Sequence, residues 1–310
     1  MTSAAGRRHR TAAVATMVAT SERPQPFRHL LAAPWFYRVG FVAARAVPVP
    51  VLYAIADGLG VATYLTCGKL VTAVGANLAC AFPQVSARER SRLTQRIFRN
   101  YARYLVDYGR LRWARRDGFE GLIPALEGED HLRRALAAGR GVILVTGHVG
   151  NWELGGTFFG QSGVKVHVVT LPDGHRKIDA IRERYRARHA ISTIVLDGSP
   201  FASLEMMAAL KRNEMVAMLV DRWGPTDGIA SPFFGGTHHL PRGPFVLSRA
   251  TGAPILSAFV VRDGASYRGI VEPPFVVAEE DLSPYAARIS GALERVIRRY
   301  PDQWYSFVPL

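Results

Sequence analysis

Short apolar runs that alternate with longer polar stretches dominate the second half of the chain. The runs have the length and the β-branched content of buried strands, and they lie at 141–146, 164–170, 192–196 and 215–220. The stretches between the runs are interpreted as helices. Strands that alternate with helices predict an α/β fold, in which helices flank a mostly parallel central sheet. Residues 254–261 and 267–277 are expected to extend this sheet, and 283–300 to form an amphipathic helix.

The first half of the chain has a different pattern. Residues 27–70 are apolar and aromatic, but Pro48 and Pro50 interrupt them. Proline breaks a helix interior, so we expect two shorter helical pieces rather than one clean spanning helix. Such a segment can lie in a membrane interface, and packing against the protein core is the alternative. Ser86 and Glu89 have the spacing of a capping box, which predicts the start of a long arginine-rich helix.

These patterns divide the chain into a tail and one domain. Residues 1–26 are small, polar and basic and are interpreted as a disordered tail, with a signal peptide as the alternative. The single domain covers 27–310. Within it, 27–70 is the membrane-associated helical segment, 71–125 is helical, and 126–310 is the α/β core.

Charge and cysteine content narrow the classes of partner. The 310 residues carry a formal net charge of +14, which predicts an anionic partner such as a membrane lipid surface, a nucleic acid or an acidic protein. No nucleic-acid-binding motif is visible, so we expect no nucleic acid partner. The two cysteines match no metal-ligand spacing and no disulfide framework.

The residues that follow the strand at 141–146 carry the candidate chemistry. His148 lies where this strand ends, and in an open α/β sheet ligands bind at the carboxyl ends of the strands. Asn151 is placed to cap the next helix, with Glu153 in its first turn. We expect Glu153 to hold one ring nitrogen of His148, so that the other can take a proton from a substrate hydroxyl. The bare spacing of His148 and Glu153 is common by chance, and two residues that never interact are the alternative.

The segment 147–153, which reads GHVGNWE, resembles the active-site segment of the bacterial lipid A late acyltransferases. The same superfamily includes the mycobacterial phosphatidylinositol mannoside acyltransferases and, more distantly, the glycerolipid acyltransferases with a His-x4-Asp motif. Other segments are similar to this family in the same order: NLACAFP at 77–83, FFGG at 233–236, TGAP at 251–254 and PDQW at 301–304. The resemblance implies the glycerolipid acyltransferase fold with a membrane-associated hydrophobic helix at its start. It also implies catalytic roles for His148 and Glu153.

The resemblance also implies substrate-binding residues. Relatives carry an active-site arginine in the helix at 176–188, and Arg186 is the best match, with Arg182 and Arg184 close behind. Asp221 and Arg222 end a strand and are expected to face the same cleft as His148. Asn151 and Arg242 complete the candidate substrate-binding set. A guanidinium among them could neutralise a phosphate or an oxyanion, and backbone amides of the turn are the other candidates for the oxyanion.

Together these observations predict a membrane-associated O-acyltransferase on the cytoplasmic face of the cytoplasmic membrane, peripheral or monotopic. It would move an acyl chain from acyl-CoA or an acidic acyl-carrier protein to a hydroxyl of a glycolipid or phospholipid. No serine or cysteine nucleophile with triad context is visible, so we expect direct transfer without an acyl-enzyme. We expect no cofactor and no metal, although the adjacent His238 and His239 raise zinc as an alternative. These histidines are interpreted as part of the apolar loop that follows Arg222 and contains Phe233 and Phe234. This loop could line an acyl-chain groove, and a loop packed on itself is the alternative. An acyl-thioester hydrolase that uses His148 and Glu153 to activate water is the alternative function.

Overall fold

The computed structural model describes residues 46–111, 122–160, 163–171, 183, 186, 187, 189, 191–222 and 228–310. The predicted tail at 1–26, residues 27–45 of the first helical piece, and most of the predicted helix at 176–188, including Arg182 and Arg184, lie outside the described residues. The division of the chain into a tail and one domain stays a prediction.

The strands confirm the predicted mostly parallel sheet. They are β1 Ala125–Glu127, β2 Val142–Thr146, β3 Val166–Thr170, β4 Ile191–Val195, β5 Met215–Leu219, β6 Gly228–Phe233, β7 Gly236–Pro241, β8 Ile255–Asp263 and β9 Ser266–Val271. In the described part of the chain, seven of them form one sheet in the order β1-β9-β8-β2-β5-β3-β4. All neighbours in this sheet are parallel except β8 and β9, which form an antiparallel pair. The first four residues of β2, a central strand, are buried, as expected of a sheet covered on both faces.

Helices flank this sheet and precede it in the chain. They are α1 Val49–Thr66, α2 Gly68–Ala81, α3 Ala87–Leu111, α4 Glu129–Ala137, α5 Trp152–Gly160, α6 Pro200–Lys211, α7 Gly243–Thr251 and α8 Ser283–Arg299, followed by a short 3₁₀ helix at Pro301–Gln303. The predicted capping box at the start of α3 is formed, since Ser86 N donates to Glu89 Oε2 at 3.2 Å and Glu89 N donates to Ser86 Oγ at 3.3 Å. Such reciprocal bonds satisfy amide groups that the first helical turn leaves without partners.

Helix α1 begins directly after Pro48 and has Pro50 in its first turn, where proline is tolerated. By length and composition alone, this 18-residue helix could cross a membrane. It packs closely on α3, because a Cβ atom added at Gly60 would lie only 2.7 Å from the Cα of Arg99. Asp57 strengthens this contact, since its carboxylate accepts hydrogen bonds from Arg99 and Arg103 at 2.5 to 2.6 Å.

The segment before α7 was interpreted from sequence as a loop, and that interpretation is wrong for residues 228–241. These residues form an antiparallel hairpin of β6 and β7. Its two-residue turn has positive φ at both Phe234 and Gly235, as a type I′ turn requires. Pro232 and the glycines suggested a loop, but a two-stranded ribbon tolerates proline where no ladder bond is needed. The hairpin rests on α8, where Phe234 N donates to Glu294 Oε1 at 2.6 Å.

Candidate active site

The candidate site lies where two neighbouring parallel strands end. Strands β2 and β5 pair in register, with Thr146 opposite Leu219. Two residues beyond each of these strand ends come His148 and Asp221, which therefore lie side by side. Parallel strands end at the same edge of a sheet, so residues far apart in sequence meet there. The expectation that Asp221 lies on the same side as His148 is confirmed by their direct contact, and a role for Asp221 in substrate binding stays a prediction.

Asp221 holds His148 at two points. Its Oδ1 lies 2.7 Å from Nδ1 of the imidazole, and its Oδ2 accepts the backbone N–H of His148 at 2.7 Å. Although burial by itself raises the carboxyl pKa, the nearby His148 and Arg222 bring the pKa of Asp221 down to about 2. An ionised carboxylate can only accept hydrogen bonds, so Nδ1 of the neutral ring must carry the proton. The lone pair is then on Nε2, which is the nitrogen that can take up a proton from a substrate.

Glu153 has a different partner from the expected one. Its Oε1 accepts a hydrogen bond from Arg186 Nη2 at 3.0 Å, and both side chains are about nine-tenths buried. Arg186 also approaches Thr193 on β4, with Nη1 3.4 Å from its hydroxyl oxygen. The carboxylate at Nδ1 of His148 is therefore Asp221, and Glu153 joins the first turn of α5 to Arg186. The catalytic roles of His148 and Glu153 themselves stay predictions.

The turn between β2 and α5 depends on a glycine. Gly150 has φ 65°, and an added Cβ would lie 2.1 Å from the carbonyl oxygen of Val260 on β8. Only glycine combines this left-handed conformation with so close a backbone approach. Asn151 follows and caps α5 as predicted, since its Oδ1 accepts the N–H of Leu154 at 2.9 Å. The backbone N–H of Asn151 donates to Val260 O at 2.7 Å, which fixes the turn to β8.

The carboxyl-terminal segment forms the other side of this turn. Tyr305 N donates to His148 O at 2.8 Å, and Gly150 N donates to Gln303 O at 2.9 Å. Trp152 packs edge-on against the His148 ring, with centroids 5.1 Å apart. Sequence reasoning had singled out 301–304 only as a family segment. Its role as a support for the His148 turn had no local signal, because the contact spans about 155 residues of chain.

The amide groups of the turn are already used within the protein. His148 N donates to Asp221, Val149 N to Gly147 O, Gly150 N to Gln303 O and Asn151 N to Val260 O. Each of these four groups would have to give up or share its present partner to hold an oxyanion, and the expectation that turn amides do so stays a prediction.

The three candidate arginines that the structure describes differ in their contacts. Arg222 Nη2 donates to Tyr305 O at 2.7 Å. Arg242 lies at the N-cap position of α7, and its Nε is buried with no hydrogen-bond partner among the described residues. Arg222 therefore follows β5 and contacts the carboxyl-terminal segment, Arg242 precedes α7, and Arg186 is joined to Glu153.

The adjacent histidines of the hairpin do not assemble into an evident metal centre. Within the described ranges, no group of three or more His, Cys, Asp and Glu side chains is arranged to hold a metal ion. His238 is buried against the Phe233 ring, and burial lowers the pKa of its imidazole. Phe233 and Phe234, which sequence analysis considered for an acyl-chain groove, are buried and pack near Trp304.

Comparison with known proteins gives a consistent family assignment. The sequence model of the family described as bacterial lipid A biosynthesis acyltransferase matches residues 21–310. The chain is 28% identical over 262 residues to a lipid A biosynthesis palmitoleoyltransferase of Escherichia coli (strain K12), covering 83% of this chain and 84% of that protein. It is 29% identical over 266 residues to a lipid A biosynthesis lauroyltransferase of the same strain, with 83% and 84% covered. It is 25% identical over 284 residues to a phosphatidylinositol mannoside acyltransferase of Mycobacterium tuberculosis (strain CDC 1551 / Oshkosh), with 90% and 88% covered.

Proposed function

Because the chain belongs to the bacterial lipid A biosynthesis acyltransferase family and is an acyltransferase of lipid synthesis, we propose that it transfers a fatty acyl chain by general-base catalysis from His148. The observation that carries this proposal is the pairing of His148 Nδ1 with the ionised, buried Asp221. Such a partner fixes the ring and stabilises the imidazolium that forms when Nε2 takes a proton.

The reaction then proceeds in two balanced steps. His148 Nε2 accepts the proton of an acceptor hydroxyl while that oxygen attacks the carbonyl carbon of an acyl thioester. The tetrahedral intermediate expels the thiolate, and the imidazolium returns the proton to the leaving sulfur. The new ester bond is formed directly on the acceptor, so the enzyme carries no acyl group at any stage.

We propose separate roles for Glu153 and for the arginines. Glu153 keeps Arg186 in place beside α5, and the pair fixes the wall of the site. Arg222 and Arg242 supply positive charge for the oxyanion or for phosphates of the substrates. Coenzyme A and an acyl-carrier protein both carry negative charge, which these arginines would attract, and both remain candidate acyl donors.

The acceptor is proposed to be a glycolipid or a phospholipid. The named activities of the relatives, on lipid A and on phosphatidylinositol mannoside, motivate this class. The two kinds of relative resemble the chain to a similar extent, so the acceptor within the class is a matter for experiment.

We propose that the acceptor is reached from an anionic membrane surface on the cytoplasmic face of the cytoplasmic membrane. Helix α1 exposes a row of apolar side chains, which are Val51, Ile55, Leu59 and Leu65. Arg99 and Arg103 of α3 bind α1, and the exposed Arg88, Arg92 and Arg96 continue the same ridge at four-residue spacing. An apolar face flanked by arginines suits an interface of acyl chains and anionic headgroups.

The test of function offers labelled palmitoyl-CoA and labelled acyl-carrier protein to the membrane-extracted protein, with lipid extract of the host as acceptor. The expected result is a new labelled lipid that disappears in His148→Ala, and mass spectrometry of that lipid names the acceptor. His239→Ala is the matched control, because it removes a histidine of the neighbouring hairpin that is not assigned to the reaction.

Three outcomes would contradict the proposal. Release of free fatty acid without any labelled lipid would favour acyl-thioester hydrolysis, in which the same base activates water. A trapped acyl-enzyme, or full transfer by His148→Ala, would overturn the direct mechanism.

A further inference from the structure

A further buried carboxylate belongs neither to the Asp221–His148 pair nor to the Glu153–Arg186 pair and is not used by the mechanism above. Asp107 is on α3, and its side chain is 6% exposed. Its Oδ1 accepts a hydrogen bond from Tyr53 Oη at 2.6 Å, and its Oδ2 accepts one from Tyr267 Oη. Arg262 Nη2 donates to Oδ2 at 3.3 Å, and Arg110 lies 3.5 Å from Oδ1. A buried carboxyl group costs stability unless it has hydrogen-bond or ionic partners of this kind, so Asp107 and its four partners form one polar network.

One branch of the network reaches the active-site turn. Asn151 Nδ2 donates to Tyr267 Oη at 3.3 Å. The same Asn151 caps α5 through Leu154 and is three residues beyond His148. The hydroxyl of Tyr267 thus accepts from Asn151 while it donates to Asp107. Any shift of Tyr267 would move the cap of the helix that carries Glu153.

The other branch reaches α1. Tyr53 is an α1 residue, and its oxygen is shared between Asp107 and Arg262. The Arg262 guanidinium also lies over the Tyr53 ring, 4.5 Å from the centroid. Burial and the nearby Asp107 raise the pKa of both Tyr53 and Tyr267, so both phenols stay protonated and can donate at neutral pH. The two hydroxyl groups therefore donate to the two different oxygens of one carboxylate.

We infer that Asp107 is a positioning residue for the active-site turn. Through Tyr267 it holds Asn151, which caps helix α5. Through Tyr53 it makes the position of Asn151 depend on how α1 packs against the rest of the protein. It touches neither His148 nor, in our proposal, the substrate. The expected effect of Asp107 on the rate of acyl transfer rests on the proposed function, whereas its effect on the position of Asn151 does not. Helix α1, which has an exposed apolar face, is thus joined to the active-site turn by a path of four side chains, which are Tyr53, Asp107, Tyr267 and Asn151.

The first test measures hydrogen exchange of the amides in 150–156 in Tyr267→Phe, Tyr53→Phe and Tyr64→Phe. Tyr64 is the matched control, because it also lies on α1 and hydrogen bonds to α3, at Ser91, but has no link to Asn151. Each variant removes one hydroxyl and keeps the ring. We expect exchange to accelerate about two- to tenfold in the first two variants and not in Tyr64→Phe, as loss of one hydrogen bond would cause.

Three results would overturn the inference. They are unchanged exchange of 150–156 in Tyr267→Phe, an equal increase across the whole chain, and a response to Tyr267→Phe without one to Tyr53→Phe. The last would remove the link to α1.

The second test measures transfer kinetics of the same variants. A positioning role predicts that kcat falls about three- to tenfold while KM for the acyl donor is unchanged, since a misplaced base slows proton transfer without weakening binding. A change in KM alone would overturn it. If the wild-type protein transfers no acyl group, the proposed function fails, whereas hydrogen exchange still decides whether Asp107 positions Asn151.

Discussion

Asp221 lies 2.7 Å from Nδ1 of His148, although 73 residues of chain separate them. The carboxylate also accepts the backbone N–H of His148, so it fixes both the ring and the turn that carries it. Through this relationship, the general base of the proposed reaction is defined by the ends of two strands rather than by one short motif.

Replacing Asp221 tests this relationship directly. In Asp221→Asn the amide can no longer act as an anionic acceptor, so the ring loses its fixed tautomer and its stabilising charge. We expect kcat to fall about 10²- to 10⁴-fold with KM nearly unchanged, the range that general-base catalysis supplies. Asp130→Asn on the exposed face of α4 is the control and should transfer at the wild-type rate. If kcat of Asp221→Asn fell less than threefold, Asp221 would not be the residue that supports His148 as the general base.

The pKa of Asp221 also predicts how stability depends on pH. The pKa of about 2 in the folded state is below the usual value near 3.9. Ionisation of this carboxyl group therefore stabilises the folded protein by on the order of 2 kcal/mol relative to the unfolded chain. This contribution is fully present above about pH 4, and it is lost as pH falls from 4 through 2. In urea unfolding at pH 6, 4 and 3, the free energy of unfolding should decrease more steeply with falling pH for the wild-type protein than for Asp221→Asn. Equal slopes for the two proteins would contradict the depressed pKa.

Glu153 and Arg186 should behave as a buried ion pair. Removing one partner leaves the other charge buried without compensation, which costs about 3–5 kcal/mol. We therefore expect Glu153→Gln and Arg186→Met each to destabilise the protein strongly, and the double variant to be less destabilised than the sum. A double-mutant cycle by urea unfolding measures the coupling. The exposed pair of Asp130 and Arg133 should give a coupling below about 1 kcal/mol. Strict additivity for Glu153 and Arg186 would show that the pair is not coupled.

Gly150 should be intolerant of any side chain. An alanine there would adopt positive φ and would overlap the Val260 carbonyl, so we expect a loss of about 3 kcal/mol or more in unfolding free energy and no transferase activity. Gly163→Ala separates the two causes, because Gly163 also has positive φ but nothing within 4 Å of an added Cβ. That control should lose only about 1–2 kcal/mol. Equal losses in the two variants would mean that backbone strain alone explains the effect.

The fold was largely readable from sequence because its signals are local. Each buried strand is a short apolar run, and the apolar character of 142–145 appears in the structure as complete burial. The capping box of Ser86 and Glu89 and the cap at Asn151 are likewise formed within four residues of chain. The hairpin at 228–241 was missed, since Pro232 and neighbouring glycines are more typical of loops and its strands are fixed by packing on α8.

The sequence by itself determined the α/β alternation, the position of His148 at a strand end, and the presence of Glu153 in the first turn of the next helix. Only the tertiary structure decided which carboxylate each basic side chain meets: Asp221 for His148 and Glu153 for Arg186. The reason is that strand order and register set these distances, and neither quantity is encoded in the spacing of the residues along the chain. The Asp107 network has the same origin, because α1, α3, β8 and β9 each contribute one or more of its side chains.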